Sequence, residues 1–437
     1  MDPALTGALA FLVLLILLFL GAPVGFALGS IGLIGLGMSG GPQTLLNMAQ
    51  TLPHSFGSSY SWAVLPLFIL MGNLAASSHI TRDLFRAATQ WFRPFRGGLY
   101  FSVVVGSALF SAVSGSTTAN AVVFTRLCFP EMVRIGCSRA LTLGCICSSA
   151  AFAAMIPPSL TMIIVGMLTE QSIGKLLIAG ILPGVLTACA YGLMLTILTR
   201  FRPDLSPYGD GQRPSWEELR RSLSSVWPIS ALFSLIMGGL YAGWFPPSSA
   251  GAVGALGAFV LMLGRKGFQM KLLVKSVLDS VAITSSLLTI LIGGRFFSRF
   301  LAMAGVMDRM IQTVNVLGAA PIKLIIALTV FYLILGCVLD TASIMVVTLP
   351  AVFPLILGAG INPIWFSIIF VKLIEIAVLS PPIGINLFAT LSATQGEATL
   401  GELIVGLIPF LATEAVVLAI LILFPGISTW LPSQMTG

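Results

Sequence analysis

The chain has 437 residues, of which 57% are hydrophobic and only 8% charged, with a net charge of +7. An ordinary soluble domain carries about a quarter charged residues, so a water-soluble enzyme is excluded and a polytopic membrane protein is expected. The basic residues lie in short loops between apolar blocks rather than in one stripe. They therefore report topology, the expected surroundings are a lipid bilayer, and no nucleic-acid partner is expected.

In chain order, the apolar blocks run to about 17 to 30 residues, the length a helix needs to cross a hydrocarbon core of about 30 Å. They lack the alternation of a transmembrane β-barrel, which leaves an all-α, multi-pass fold. The first block, within residues 3–21, has neither a basic leader nor a small-residue cleavage site. It reads as a mature helix rather than a signal peptide. The segments 58–78 and 285–305 each carry a polar or glycine interruption, and each fits either a re-entrant hairpin or one ordinary span. Between them lies a basic stretch, Arg82, Arg86, Arg93 and Arg96. It falls on the basic-poor side if every block crosses simply, and hairpins or an interfacial helix would relieve that conflict.

Residues 114–120 read SGSTTAN in the middle of an apolar block. Gly115, flanked by Ser114, Ser116 and Thr117, weakens a helix and offers competing side-chain hydrogen bonds. Close helix packing through small residues explains such a run if it stands alone. Next comes Ile156-Pro157-Pro158-Ser159, where two backbone donors are missing and the preceding residue is forced out of the α region. A basic connector over 200–222 follows, carrying Arg200, Arg202, Arg213, Arg220 and Arg221. The second half has its own break, GCVLDTAS over 336–343, with Asp340 at membrane depth, and its own diproline, SPPIGIN over 380–386. Lys372 and Glu375, three apart, share a helix face and neutralise each other, and Glu414 has similar standing. The six cysteines form no CxxC pair and read as small buried residues, while His54 and His79 stand alone, so no metal centre is expected.

The two halves repeat. Shifted by 224 positions, Pro23, Ser116, Pro130, Pro157 and Pro158 fall on Pro247, Asp340, Pro354, Pro381 and Pro382. The loop at 265–275 carries Arg265, Lys266, Lys271 and Lys275, whereas its counterpart at 41–50 is uncharged, and 126–139 contrasts in the same way with 350–363. Corresponding loops on opposite sides of the membrane are the mark of an inverted repeat, an arrangement that secondary transporters use for alternating access. The expected organisation is a first repeat over 1–199, a cytoplasmic connector over 200–222 and a second repeat over 223–437. Broken helices at membrane depth expose hydroxyls and carbonyls, hard ligands suited to Na⁺, and their N-terminal ends favour anions. A second break with an ionisable residue at the repeat-related site moves SGSTTAN from packing towards binding.

The strings PLFILMGNLA (66–75), SAVSGSTTANA (111–121), IPPS (156–159), LGCVLDTASIMVVTLP (335–350) and SPPIGINLFA (380–389) closely resemble the large membrane subunit of tripartite ATP-independent periplasmic (TRAP) transporters. The resemblance implies a multi-pass subunit of the bacterial inner membrane that imports organic acids with Na⁺ as coupling ion and no other cofactor. It implies a periplasmic substrate-binding protein and a small four-helix membrane subunit as partners, the latter expected as a separate chain. It also implies an elevator mechanism, in which two hairpins and two broken helices carry the solute past a scaffold. Carried onto this chain, the first break supplies Ser114, Gly115, Ser116, Thr117 and Asn120, and the second Gly336, Asp340, Thr341 and Ser343. The diproline turns add Pro157, Pro158 and Ser159, and Pro381, Pro382, Gly384 and Asn386, with Ser149 completing the set. Arg295, beside Gly293-Gly294 at a candidate hairpin tip, is placed to meet an anionic substrate group, or equally a loop carboxylate. Two departures stand out: Asn120 where the family usually has Asp, and Ala153-Ala154 where it has Gly-Pro. The rivals are a stand-alone ion-coupled carrier and an intramembrane enzyme, and for the latter neither histidine is well placed.

Overall fold

A computed structural model describes residues 2–78, 80–206, 215–309, 312, 321–336, 339–381 and 384–435. Pro382, His79, Cys337 and Arg213 lie outside the described residues. Every regular element described is helical. The first half holds α1 (Pro3–Phe19), α2 (Val24–Ser58), α3 (Val64–Ser77), α4 (Ile80–Phe92), α5 (Gly98–Ser114), α6 (Thr117–Arg134), α7 (Arg139–Ala150), α8 (Phe152–Met155), α9 (Leu160–Thr169), α10 (Ile173–Ala179) and α11 (Ile181–Phe201). The second holds α12 (Trp216–Tyr241), α13 (Pro247–Lys266), α14 (Met270–Met303), α15 (Pro321–Gly336), α16 (Thr341–Gly358), α17 (Pro363–Leu379), α18 (Ile385–Ala393), α19 (Leu400–Leu423) and α20 (Gly426–Ser433). Seven of the described helical segments are long and apolar enough to cross a membrane by length and composition. Helix starts are written locally: Ser116, Ser138, Ser159, Asp340, Asn362 and Thr399 each cap the following helix with a side-chain oxygen.

The 224-residue shift reappears in the helix boundaries. Helix α6 shifted by 224 is α16, end for end, and α7 and α17 start at shifted positions. Packing is reciprocal as well. Helix α6 of the first half rests on α18 of the second, while α9 of the first rests on α16 of the second. Elsewhere α2 and α14 meet so closely that a β-carbon on Gly25 would lie 2.8 Å from the Thr289 carbonyl oxygen. The repeat-related pair, α13 and α3, meets where a β-carbon on Gly251 would lie 3.0 Å from Leu67.

Two readings that the sequence leaves open are decided here. Residues 285–305 form no hairpin, because α14 runs unbroken from Met270 to Met303. Its glycines serve close approach instead: a β-carbon on Gly293 would lie 2.1 Å from the Gly25 carbonyl oxygen, and one on Gly294 would overlap Val346 of α16. In the first half the counterpart is divided, since α2 leaves helical geometry at Gly41 (φ 77°, ψ 175°) and a 3₁₀ turn over Tyr60–Ala63 precedes the 14-residue α3. The second concerns the basic stretch at 82–96, whose surroundings make contact with the other basic loops. Helix α4 is amphipathic, burying Leu84, Phe85, Ala87 and Ala88 while Arg86 is exposed. Asp83 pairs with Arg265, the Trp91 indole donates to the Ser222 hydroxyl at 3.1 Å, and the Tyr100 hydroxyl donates to the Leu205 carbonyl at 2.7 Å. The Ser138 N–H donates to that same carbonyl. Basic segments from four parts of the chain thus gather on one face.

Candidate functional site

The first break begins where α5 ends at Ser114. Gly115 turns left-handed (φ 61°), a conformation only glycine adopts without strain, and Ser116 is extended and caps α6 through the Ala119 N–H. A β-carbon on Gly115 would lie 3.1 Å from the Pro158 carbonyl oxygen, so the break lies directly against the first diproline turn. Ser159 is fully buried; its hydroxyl donates to the Ala154 carbonyl at 2.5 Å and accepts from the Met162 N–H. Thr117, in the first turn of α6, is half-buried.

Asn120 is fully buried. Its amide donates to the Ser111 hydroxyl at 2.7 Å and to the Ser107 carbonyl at 3.4 Å. The Ser107 hydroxyl lies 3.2 Å from the Asn120 carbonyl oxygen and 2.8 Å from the Ser149 carbonyl oxygen. The side chain is occupied in joining α5, α6 and α7.

At the second break Asp340 caps α16. One carboxylate oxygen accepts from the Ala342 N–H at 3.0 Å and the Ser343 N–H at 3.3 Å, and the other accepts from the Ser343 hydroxyl. A negative charge at a helix N-terminus is favoured by the exposed N–H groups and the helix dipole. Asp340 also lines a cavity of about 300 Å³ with Gly21, Ala22, Gly336, Val378 and Ile385. That cavity joins the second break to both flanks of the second diproline turn. Gly336 is needed there because a β-carbon would lie 2.2 Å from that of Ala377. Gly384 donates to the Ser380 carbonyl at 3.1 Å and closes the turn around Pro381.

Several buried polar atoms on these elements have no protein partner. They include both amide atoms of Asn386 and the hydroxyls of Ser114, Ser149 and Thr390. Ser149 lies on α7 and Asn386 and Thr390 on α18, which packs on α7. A buried amide without a partner costs several kcal/mol in an apolar medium, on the order of 2–7, so such a group marks a place for a ligand or water. Ser149 and Asn386 were legible in the sequence; Thr390 was missed, although its spacing of four from Asn386 places both on one helix face. Arg295 does not sit at a hairpin tip. It is half-buried within unbroken α14, beside the glycines that pack against α2 and α16.

The pair read as Lys372 and Glu375 proves to be a larger cluster. The Lys372 ammonium lies 2.8 Å from Glu375 and 2.5 Å from Glu414, and it donates to the Thr187 hydroxyl at 3.0 Å. The Tyr191 hydroxyl donates to Glu414 at 2.5 Å. All three charged groups are fully buried, and they tie α11, α17 and α19 together.

An all-helical, multi-pass chain whose broken helices and diproline turns enclose orphaned polar atoms has the build of a membrane transport protein. The family model for the tripartite ATP-independent periplasmic transporter, DctM component, matches residues 11–427, and the chain belongs to that family of transporters. It is 27% identical to the C4-dicarboxylate TRAP transporter large permease protein DctM of Vibrio cholerae, covering 98% of each chain. It is 29% identical to the ectoine TRAP transporter large permease protein TeaC of Halomonas elongata, over 95% of this chain and 96% of that one. With the sialic acid TRAP transporter permease protein SiaT of Haemophilus influenzae it shares 29% identity over 98% of this chain and 68% of that protein. In three dimensions it resembles the YdaH transporter of Alcanivorax borkumensis, with a TM-score of 0.63 at 14% identity and 98% coverage of both chains. The chain is thus a large permease subunit of the TRAP type and not an enzyme.

Proposed function

We propose that this subunit imports an organic anion together with Na⁺ across the bacterial inner membrane. The anion is handed over by a periplasmic substrate-binding protein, and a small four-helix membrane subunit braces the permease. The observation that carries this reading is the pairing of two broken helices, one with hydroxyls and one with the Asp340 carboxylate, each against its own diproline turn. Hydroxyl, carboxylate and carbonyl oxygens are the ligands Na⁺ prefers, and helix N-termini beside them favour an anion. The 224-residue correspondence and the reciprocal packing support a pair of inverted repeats, which move a transport domain past a scaffold in elevator fashion. The basic face would lie in the cytoplasm. Relatives are named for C4-dicarboxylate, sialic acid and ectoine, and on this reading the binding protein chooses the solute.

The test is uptake into proteoliposomes holding this chain and its small subunit, supplied with loaded binding protein. Uptake should require an inward Na⁺ gradient, and should vanish when the binding protein is omitted. Equal uptake by this chain alone would make it a stand-alone carrier, and uptake indifferent to Na⁺ would remove the ion from the mechanism.

A further inference from the structure

We propose that the buried pair Glu375 and Glu414 is a proton-binding site, in which the two carboxyls share one proton behind the helix that carries Ser149. Among the described residues, Lys372, Glu375 and Glu414 are the only buried charged side chains, each no more than 1% exposed. Two carboxylates and one ammonium leave one negative charge without a counterpart. An apolar interior does not keep an unbalanced charge that a proton can remove.

Three observations seat the proton on the carboxyls. The Lys372 ammonium lies 2.8 Å from Glu375 Oε2 and 2.5 Å from Glu414 Oε2, and so fills the space between them that a metal ion would need. A proton adds positive charge there without demanding room. Next, one oxygen of each carboxyl is buried and receives no hydrogen bond, namely Glu375 Oε1 and Glu414 Oε2. Protonating one of them forms one O–H bond and brings the cluster to neutrality, as crowded carboxylate pairs do by sharing a single proton. Finally, the remaining groups are neutral and already committed. Tyr191 of α11 donates to Glu414 Oε1 at 2.5 Å, Thr187 accepts from Lys372 at 3.0 Å, and Tyr332 of α15, buried against α17, donates to Thr348 instead.

The repeat gives this position a meaning. Shifted by 224, Lys372 falls on Ser148 of α7, whose buried hydroxyl faces Tyr191 and has no hydrogen-bond partner. The first half thus meets the cluster with a hydroxyl where the second supplies an ammonium, and the positive charge is not doubled. Ser149, the next residue, carries one of the orphaned hydroxyls of the candidate site. With the proton bound, the protein behind that site is neutral; without it, a negative charge stands there.

The test is infrared difference spectroscopy of the full-length chain at neutral pH, purified in a detergent free of ester groups. The natural chain should show the C=O band of a protonated carboxyl. Glu375→Gln and Glu414→Gln should each abolish that band, because the one carboxylate left is matched by Lys372 and needs no proton. Glu131→Gln, which removes an exposed carboxylate beside Arg134, should leave it unchanged. Both buried substitutions keep the cluster neutral, and either one decides the matter if the other fails to fold. Absence of the band from the natural chain, or its survival in either buried variant, overturns the proposal. The readout needs neither Na⁺ nor solute, so it is independent of the transport mechanism.

Discussion

The Asn120 amide nitrogen lies 2.7 Å from the Ser111 hydroxyl oxygen, and that bond fastens the helix after the first break to the helix before it. With Ser107 and the Ser149 carbonyl it forms a closed polar network inside an apolar core. Asn120→Ala should strand the buried Ser111 hydroxyl, while Ser107 keeps its bond to the Ser149 carbonyl, and lower stability by about 1–3 kcal/mol. Asn120→Asp should cost less, because both serine hydroxyls can rotate to donate to a carboxylate. Thermal unfolding of the detergent-purified variants reads the difference, and an unchanged midpoint for the alanine variant would show that the network bears no structural load.

Capping and charge can be separated at Asp340. Asparagine caps a helix about as well as aspartate, so Asp340→Asn should leave the unfolding midpoint close to that of the natural chain. If the carboxylate holds Na⁺, the same variant should need much more Na⁺ for half-maximal uptake. A variant with normal Na⁺ dependence would confine Asp340 to its capping role.

Lys372 balances two buried carboxylates. Lys372→Met should destabilise by about 3–5 kcal/mol, the usual result of removing one member of a buried ion pair. Adding Glu414→Gln removes one of the stranded charges and should recover part of that loss. Additive losses in the double variant would argue against direct coupling of the two residues.

The α2–α14 contact tolerates no side chain at its closest point. Gly25→Leu should separate the helices and sharply reduce the yield of folded protein, since the first added carbon already meets the Thr289 backbone at 2.8 Å. Gly57→Ala, which meets nothing within 4 Å, is the matched control and should express normally. Comparable yields would show that the two helices slide apart at little cost.

The fold class, both breaks, both diproline turns and the 224-residue repeat were legible because each has a local chemical signature: apolar length, glycine among hydroxyls, or missing backbone donors. What the sequence hid depends on contacts between distant segments. Gly293-Gly294 has the composition of a hairpin tip, and only the presence of Gly25 and Val346 across the interface reveals two helices in close approach. Glu414 joins Lys372 from a helix more than 40 residues away, which spacing alone does not predict. Asn120 looked like a ligand at the break because its neighbours did. Its side chain bonds to Ser107 and Ser111 of the preceding helix, partners that lie outside residues 114–120.

The exchange of supports between halves bears on how the chain is made. The α6 and α9 helices of the first half lean on α18 and α16 of the second, so residues up to 393 must be synthesised before the first break has its full protein surroundings. A nascent chain halted earlier leaves hydroxyls and free backbone groups facing lipid, where each costs several kcal/mol. The first half therefore completes its packing only after the second has been inserted beside it.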